Sequence, residues 1–457
     1  MLSLTVTAAL LLCECGKMTI APPLQSRLHL VTRIRWAAFI GAFLMPGVLM
    51  ATSLSLDELL SQAMVSYPTI LSKQSNQEAA QSDLTASKLR FLPAPSISSQ
   101  RNQMAYNDGV SMGGNRSAST IGLNQPIFMG GGLLAAYDRA SARLSAADYA
   151  LLETREDVSK RLITTYAEWF RAYRKILALD DSVRLHEKFA GLITRRAEGG
   201  VASGVDRDLG VSRLFQARAD LETQISAEKT ALSTLSQMVG YPLERSNLVG
   251  RIAAMAAVPT GSDVLEKIIL NSPAIARAKF EAEAAEAEAR EARASALPQV
   301  SFQAQRQYGN PYVPGAPGYD LLGFVVQYSP GSGLASFATT GAAFSRARSA
   351  AEMVEATKRE LTSTWSAEFN EYQYSKLKAD SLKDSAGLSV VISDSYDRQY
   401  LVGRKSWIDL MNAVREQTQT RMALVDAQAS ALGASRRLQV IINGTLDFDY
   451  MKQASSK

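Results

Sequence analysis

Histidine and cysteine are almost missing from this chain of 457 residues, which holds two of each. Cys13, Cys15 and His29 lie near the start, leaving His186 as the only His or Cys further on. Zinc sites, cysteine nucleophiles and Ser-His-Asp catalysis need such groups in convergent sets, so none is expected. Aromatic residues make up 7% and proline numbers only 15. Beyond residue 53 no run reaches the roughly 20 continuous apolar residues of a membrane-spanning helix. A spanning structure would therefore have to be a closed barrel of strands. Neither charge dominates, with 49 Lys and Arg against 44 Asp and Glu.

Residues 1–53 read as an export signal, not as fold. Arg27, Arg33 and Arg35 precede the apolar run Trp36–Met50, and Ala51 and Ser53 supply the small residues of a cleavage site. Residues 1–17 lie upstream of a normal signal, and Met18 is the more usual start. Cys13 has no basic segment before it, which argues against a lipid anchor. Without residues 1–53, 45 basic and 43 acidic residues remain. The basic balance thus leaves with the leader, and nucleic acid is not an expected partner. The exported chain is free of cysteine and close to neutral.

What is present is repetition. Tyr67-Pro68 and Ser272-Pro273 each precede a helical stretch, and Leu92-Pro93 and Leu297-Pro298 each end one. Glu78-Ala79-Ala80 falls on Glu283-Ala284-Ala285, and Ser96, Gln100 and Arg101 fall on Ser301, Gln305 and Arg306. Thr165-Tyr166, Phe170 and Tyr173 match Thr364-Trp365, Phe369 and Tyr372. Gly200 to Asp206 and Gly403 to Asp409 both read G-x-x-S-x-x-D. The organisation expected is a first structural repeat at 54–250, a linker at 251–260, a second repeat at 261–444 and a tail at 445–457.

Each repeat should begin with one helix of about 35 residues (55–91 and 262–296). Two short strands follow, then a helix of 65–70 residues (133–198 and 334–402), a tight turn and another helix of about 35. At 1.5 Å per residue the long helix reaches about 100 Å, and the two shorter ones could stack end to end beside it. Residues 274–296 hold 11 alanines in 23, a composition suited to close helix packing, with Glu286 and Arg290 paired on the wet side. Trp169 and Trp365 read as core residues, and His186 as a solvated helix residue.

Strands show as alternation. Ile121, Leu123 and Ile127 alternate with Thr120, Gly122 and Asn124; Val300, Phe302, Ala304 and Tyr308 with Ser301, Gln303 and Gln305; Leu322, Phe324, Val326 and Tyr328 with Gly323, Val325 and Gln327. A weaker strand lies around Ile97–Ala105. The loops 107–115 and 308–319 are rich in turn residues. Apolar-out, polar-in strands of this length suit a membrane barrel, but four are too few to close one. Several copies must share it. The fold class is therefore mainly α, with long antiparallel coiled-coil helices and a membrane β-barrel portion.

The paired Leu-Pro exits, the return Gln125-Pro126-Ile127-Phe128-Met129-Gly130-Gly131-Gly132 and the two G-x-x-S-x-x-D turns together resemble the TolC-like outer-membrane efflux and secretion channels. The resemblance covers nearly all of the chain after the leader. It implies a homotrimer whose copies give four strands each to a twelve-stranded barrel in outer-membrane lipid. It also implies a helical tunnel through the periplasm of a Gram-negative cell, closed at its far end by bent hairpins. No cofactor and no catalysis are implied. The implied partners are a periplasmic adaptor (a membrane fusion protein) and an inner-membrane transporter, ABC-type or proton-driven.

The resemblance also carries a gate over, residue by residue. The acid lining the constriction falls on Asp409 and the basic position before it on Lys405. The second acidic position is Asn412, a departure that should weaken cation selectivity. The closing contact between an inner-hairpin tyrosine and an outer-hairpin acid falls on Tyr400 and Asp206, with Lys405 facing groups near Val205. Gly200, Ser203, Gly403, Arg404, Ser406 and Trp407 form the turns that an adaptor would meet. Other readings stay open on residues alone. Asp206 and Asp409 would equally suit helix N-termini, Trp407 would suit packing, and Arg404 and Lys405 a solvated tip.

The turn Val402–Asn412 is similar to members serving protein or adhesin secretion, with small-molecule efflux as the competing cargo. A soluble periplasmic coiled-coil adaptor is the alternative from another class. The doubled strand pairs speak against it.

Overall fold

The computed structural model describes residues 54–102, 116–250, 258–259, 262–309, 317–328, 333 and 335–444. The expected leader (1–53), the loop at 107–115, most of the linker, most of the loop at 308–319 and the tail lie outside these residues. Among the described residues, the order of elements occurs twice. First come α1 (Leu56–Ser66), α2 (Pro68–Leu89), β1 (Ala94–Asn102), β2 (Arg116–Phe128), α3 (Gly132–Glu198) and α4 (Gly204–Val239). Then come α5 (Ser262–Asn271), α6 (Pro273–Ala294), β3 (Gln299–Tyr308), β4 (Tyr319–Gln327), α7 (Ala335–Leu401) and α8 (Trp407–Asn443).

The opening helix of each repeat is two helices, not the single one expected. Tyr67 and Ser272 have extended backbones (ψ 123° and 120°) because each precedes a proline, whose ring disfavours the helical region there. Pro68 and Pro273 then start α2 and α6, where a missing N–H costs nothing. The long helices α3 and α7 have 67 residues each. Stacking beside α3 is as expected. The Gln77 amide of α2 donates to Asp148 at 2.8 Å, and Arg218 of α4 meets Glu187 at 2.7 Å. Where α1 ends, the Ser66 hydroxyl donates to the last helical carbonyl of α4, Val239, at 3.1 Å.

The alanine-rich α6 lies between α3 and α7. Most of its charge pairs reach across to α3. Arg290 pairs with Asp138 at 3.1 Å, not with Glu286 as expected, and Glu288 with Arg143 at 3.0 Å. Arg277 is held by Glu153 of α3 and Glu281 of its own helix. Small side chains bring the two axes close enough for these long side chains to span the gap.

The four strands form one antiparallel sheet in the order β1-β2-β3-β4. β1 starts at Ala94, three residues before the expected Ile97, and Pro95 is tolerated because β1 is an edge strand. Pro126 sits where the β2–β3 register slips between Pro126 and Phe128, a bulge that needs no N–H from it. Register places Ile97 beside Ile121, Leu123 beside Ala304, and Phe302 beside Phe324 on one face. The rings of Phe302 and Phe324 meet edge to face at 5.4 Å. The other face carries Ser96, Ser98, Thr120, Asn124, Gln303 and Gln305. β4 adds Leu321 and Val325 to that second face, so its alternation is the least clean. Leu322 and Phe324 are 75% and 71% exposed, and among the described residues no further strand pairs with either outer edge of the sheet. Among the described residues no helix is long and apolar enough to cross a membrane.

The main core gathers at the middle of α3, where Leu162, Trp169 and Phe170 are fully buried against α1, α4 and α8. Trp169 stacks on Tyr173 at 5.5 Å. The segment after α4 wraps this point, its Val249 carbonyl accepting from the Tyr166 hydroxyl at 2.8 Å, and Leu54 bridges to Leu248. Val258, within the expected linker, is buried with Tyr372, Ala434 and Leu438.

Glu156 of α3 is 8% exposed, beside the end of α8 at Gly444. Burial pushes its carboxyl up to about 7, against the pull of Lys160 at 3.5 Å; Asp157 and Glu153 add to the rise. The folded state therefore keeps a proton that the unfolded chain releases near pH 4.5, so stability falls as pH rises from there to about 7. The full penalty, roughly 3 kcal/mol, applies above that range. Glu156→Gln is expected to raise the melting temperature by several degrees near pH 8 and to change it little near pH 4. Equal gains at both values would show that Glu156 is already neutral or freely solvated.

Candidate functional site

The two helical hairpins, α3–α4 and α7–α8, end in turns built alike. Gly200 and Gly403 have φ of 73° and 76°, the left-handed conformation that favours glycine. A Cβ would meet nothing within 4 Å at either position, so conformation alone demands glycine there. Each turn closes with a six-to-one hydrogen bond, from Val201 N–H to Arg196 C=O at 2.8 Å and from Arg404 N–H to Gln399 C=O at 2.9 Å.

Ser203 and Ser406 then start the return helices. Their hydroxyls accept from the N–H groups of Asp206 and Asp409 at 3.0 and 3.1 Å. In the second turn the Asp409 carboxylate accepts from the Ser406 N–H at 3.3 Å, completing a reciprocal cap. In the first turn the Asp206 carboxylate accepts from the Ser203 hydroxyl at 2.9 Å. Both acids thus serve as helix-start residues, the simpler role open to them from sequence. The Ser406 hydroxyl and N–H, helped by Lys405, hold the Asp409 carboxyl below the usual carboxylate range. It is charged at any physiological pH. Asn412, one turn on, is exposed.

Between the turns lies a small apolar core of Phe189, Ile193, Tyr400, Trp407, Leu410, Met411 and Val414. Trp407 is 5% exposed, its ring 5.5 Å from that of Tyr400. As the first residue of α8 its side chain points between the helices, the packing role open to it from sequence. The exposed apolar groups of the tip are Val201, Val205, Leu401, Val402 and Ile408, with Gly200, Ser203, Gly403, Arg404 and Ser406 exposed around them.

Tyr400 is brought to Trp407 and Arg196, not to Asp206. The Arg196 guanidinium lies 4.7 Å from the centre of the Tyr400 ring and donates to the Leu401 carbonyl at 3.5 Å. Lys405 lies 4.4 Å above the Tyr396 ring. Among the described residues neither Tyr400 with Asp206 nor Lys405 with Val205 forms a hydrogen bond. A further tie joins the hairpins, Lys188 of α3 to Asp397 of α7 at 2.6 Å. His186 is 7% exposed, not solvated as expected, and burial with Arg213 nearby lowers its pKa.

Arg196, Lys188, Asp397 and Gly210 were not singled out from sequence. Gly210 alone carried a visible signal, a glycine inside an otherwise regular helical stretch. Among the described residues no group of His, Cys, Asp or Glu is arranged to hold a metal ion.

Residues 59–241 and 264–444 match the profile of the family described as outer membrane efflux protein. Among curated proteins no sequence match is found. Several solved structures share the fold. A membrane protein from Pseudomonas aeruginosa superposes with TM-score 0.74 at 17% identity, covering 85% of this chain and 93% of its own. The outer membrane protein VceC from Vibrio cholerae gives 0.72 at 16%, covering 85% and 96%. The open state of the MtrE outer membrane channel from Neisseria gonorrhoeae gives 0.73 at 15%, covering 87% and 92%.

Proposed function

Because the chain belongs to the outer membrane efflux protein family, a protein of the outer membrane that reaches into the periplasm, we propose that three copies form one passive export duct. The observation that carries this is the four-stranded sheet, which has an apolar band on one face and, among the described residues, no further strand at either outer edge. Lipid suits the face, and β1 of one copy joining β4 of the next suits the edges. Three copies supply twelve strands, enough to close a barrel that four cannot. The helical hairpins then continue the duct into the periplasm. In this reading the leader at 1–53 is removed, and the repeats at 54–250 and 261–444 are fused halves of one tunnel wall.

The tip closes the duct. Three Asp409 carboxylates around the axis form a ring that attracts cations, and the neutral Asn412 leaves it single. Within one copy Tyr400 and Lys405 are turned to Trp407, Arg196 and Tyr396, so in this reading their contacts to Asp206 and Val205 are made between neighbouring copies. An adaptor meets Gly200, Ser203, Gly403, Arg404 and Ser406, and an inner-membrane transporter supplies the energy. The cargo is protein, an exported adhesin or similar chain passed on by an ABC transporter. The turn at Val402–Asn412 supports that cargo over small-molecule efflux.

Asp409→Asn tests the ring without upsetting the turn, since Ser406 still caps α8. In planar bilayers under a salt gradient, the variant is expected to lose most of its cation preference. An unchanged reversal potential would sink the assignment. Tyr400→Phe combined with Asp206→Ala should raise conductance. If it conducts no more than wild type, those two residues do not close the gate.

A further inference from the structure

Trp407 belongs to the α7–α8 hairpin, yet its ring is seated in the other hairpin. The floor beneath it is Gly210 of α4. A Cβ built there would lie 3.0 Å from Cζ2 of Trp407, 2.9 Å from Cγ2 of Ile193 and 3.8 Å from Cα of Ala190. Phe189 of α3 meets the indole edge to face at 6.5 Å, and Tyr400 of α7 covers it. Glycine is the poorest helix former after proline, and nothing in the helical backbone of Gly210 calls for one. Its use follows from the ring above it.

We propose that Trp407 in the Gly210 socket is the latch that holds the two hairpin tips together while the duct is closed. This rests on the reading that the tip is the gate. The other ties there, Lys188 with Asp397 and Arg196 with Tyr400, are partly open to water, where such contacts contribute little. The apolar faces of the ring are shielded from water, although its N–H has no hydrogen-bond partner among the described residues. For the α7–α8 hairpin to swing away from α4, the indole must leave the socket, and Tyr400 then comes off Arg196.

Gly210→Ala makes the test clean. Alanine strengthens the helix itself, so any opening comes from the filled socket. Ile193 cannot readily yield, because its branched side chain is stiff and fully packed. The assembled full-length protein in planar bilayers is expected to show an open-to-closed ratio raised about tenfold by Gly210→Ala. Trp407→Leu should do the same. The double variant should open no further than the stronger single one, because both act on one contact.

Wild-type conductance in Gly210→Ala, or effects of the two changes that multiply, would overturn the latch. Should Gly210→Ala fail to assemble, Trp407→Leu alone decides, and closed behaviour in it counts against the proposal. Asp409→Asn separates the two levels. If it alters selectivity while the socket variants stay closed, only the latch fails; if none of them has any effect, the tip is not the gate.

Discussion

Phe324→Arg is expected to keep the protein from assembling in the membrane, whereas Gln303→Arg is expected to assemble normally. Phe324 lies on the apolar face of β4, 71% exposed and in contact with Phe302. Gln303 lies beside Gly323 on the neighbouring strand, so its side chain is on the opposite face. An arginine in the middle of the lipid-facing band costs about 2–4 kcal/mol, and the proposed assembly of three copies would incur it three times. That total approaches the whole stability of an ordinary domain. On the lumen side the same charge stays in water, and three of them should move ion preference towards anions. The measurement is the fraction of protein recovered from outer membranes as a heat-modifiable assembly, followed by reversal potentials for the Gln303 variant. Equal recovery of both variants would mean that the two faces have been assigned wrongly, or that the sheet does not meet lipid.

The second large effect lies at the waist of the helices. Glu228 of α4 is 2% exposed, and Arg245, in the 3-10 turn Arg245–Asn247, grips both its carboxylate oxygens. The guanidinium also lies over the Tyr173 ring at 5.9 Å and, held by Glu228, has its pKa raised. Arg245→Ala leaves a buried carboxylate without its partner; with the arginine itself half exposed, the change costs about 1–3 kcal/mol. Replacing both residues with methionine removes the charge together with its partner, and should recover most of that loss. The comparison is made by urea titration of the membrane-extracted protein. If the single and double variants unfold at the same urea concentration, the stranded charge is not the source of the cost.

Much of the fold was legible because its signals are local. Long helical stretches without proline mark α3 and α7, alternation marks β2 to β4, and G-x-x-S-x-x-D marks turns closed by neighbouring groups. Pro68 and Pro273 were legible too, but as helix starts; that the residues before them end another helix was missed. The failures are those of packing at a distance. Whether His186 is wet depends on the helices that cover it, and whether Arg290 turns to Glu286 or Asp138 depends on how near α3 comes. The same holds at the site. Its caps could be read along the chain, while the socket joins residues 189, 193 and 210 to residue 407.

Symmetry gives the repeated order of elements a further meaning. A single repeat with one strand pair and one hairpin would need six copies to make a ring of twelve strands, and all six tips would be identical. Joining two repeats in one polypeptide frees alternate tips to differ. The position of Trp407 in one is held by Gly204 in the other, and Arg404-Lys405 stand where the first has Val201-Ala202. Both keep the Ser and Asp that make the turn. One kind of tip can then remain a fixed post while the other specialises as the moving part, which six identical subunits could not arrange.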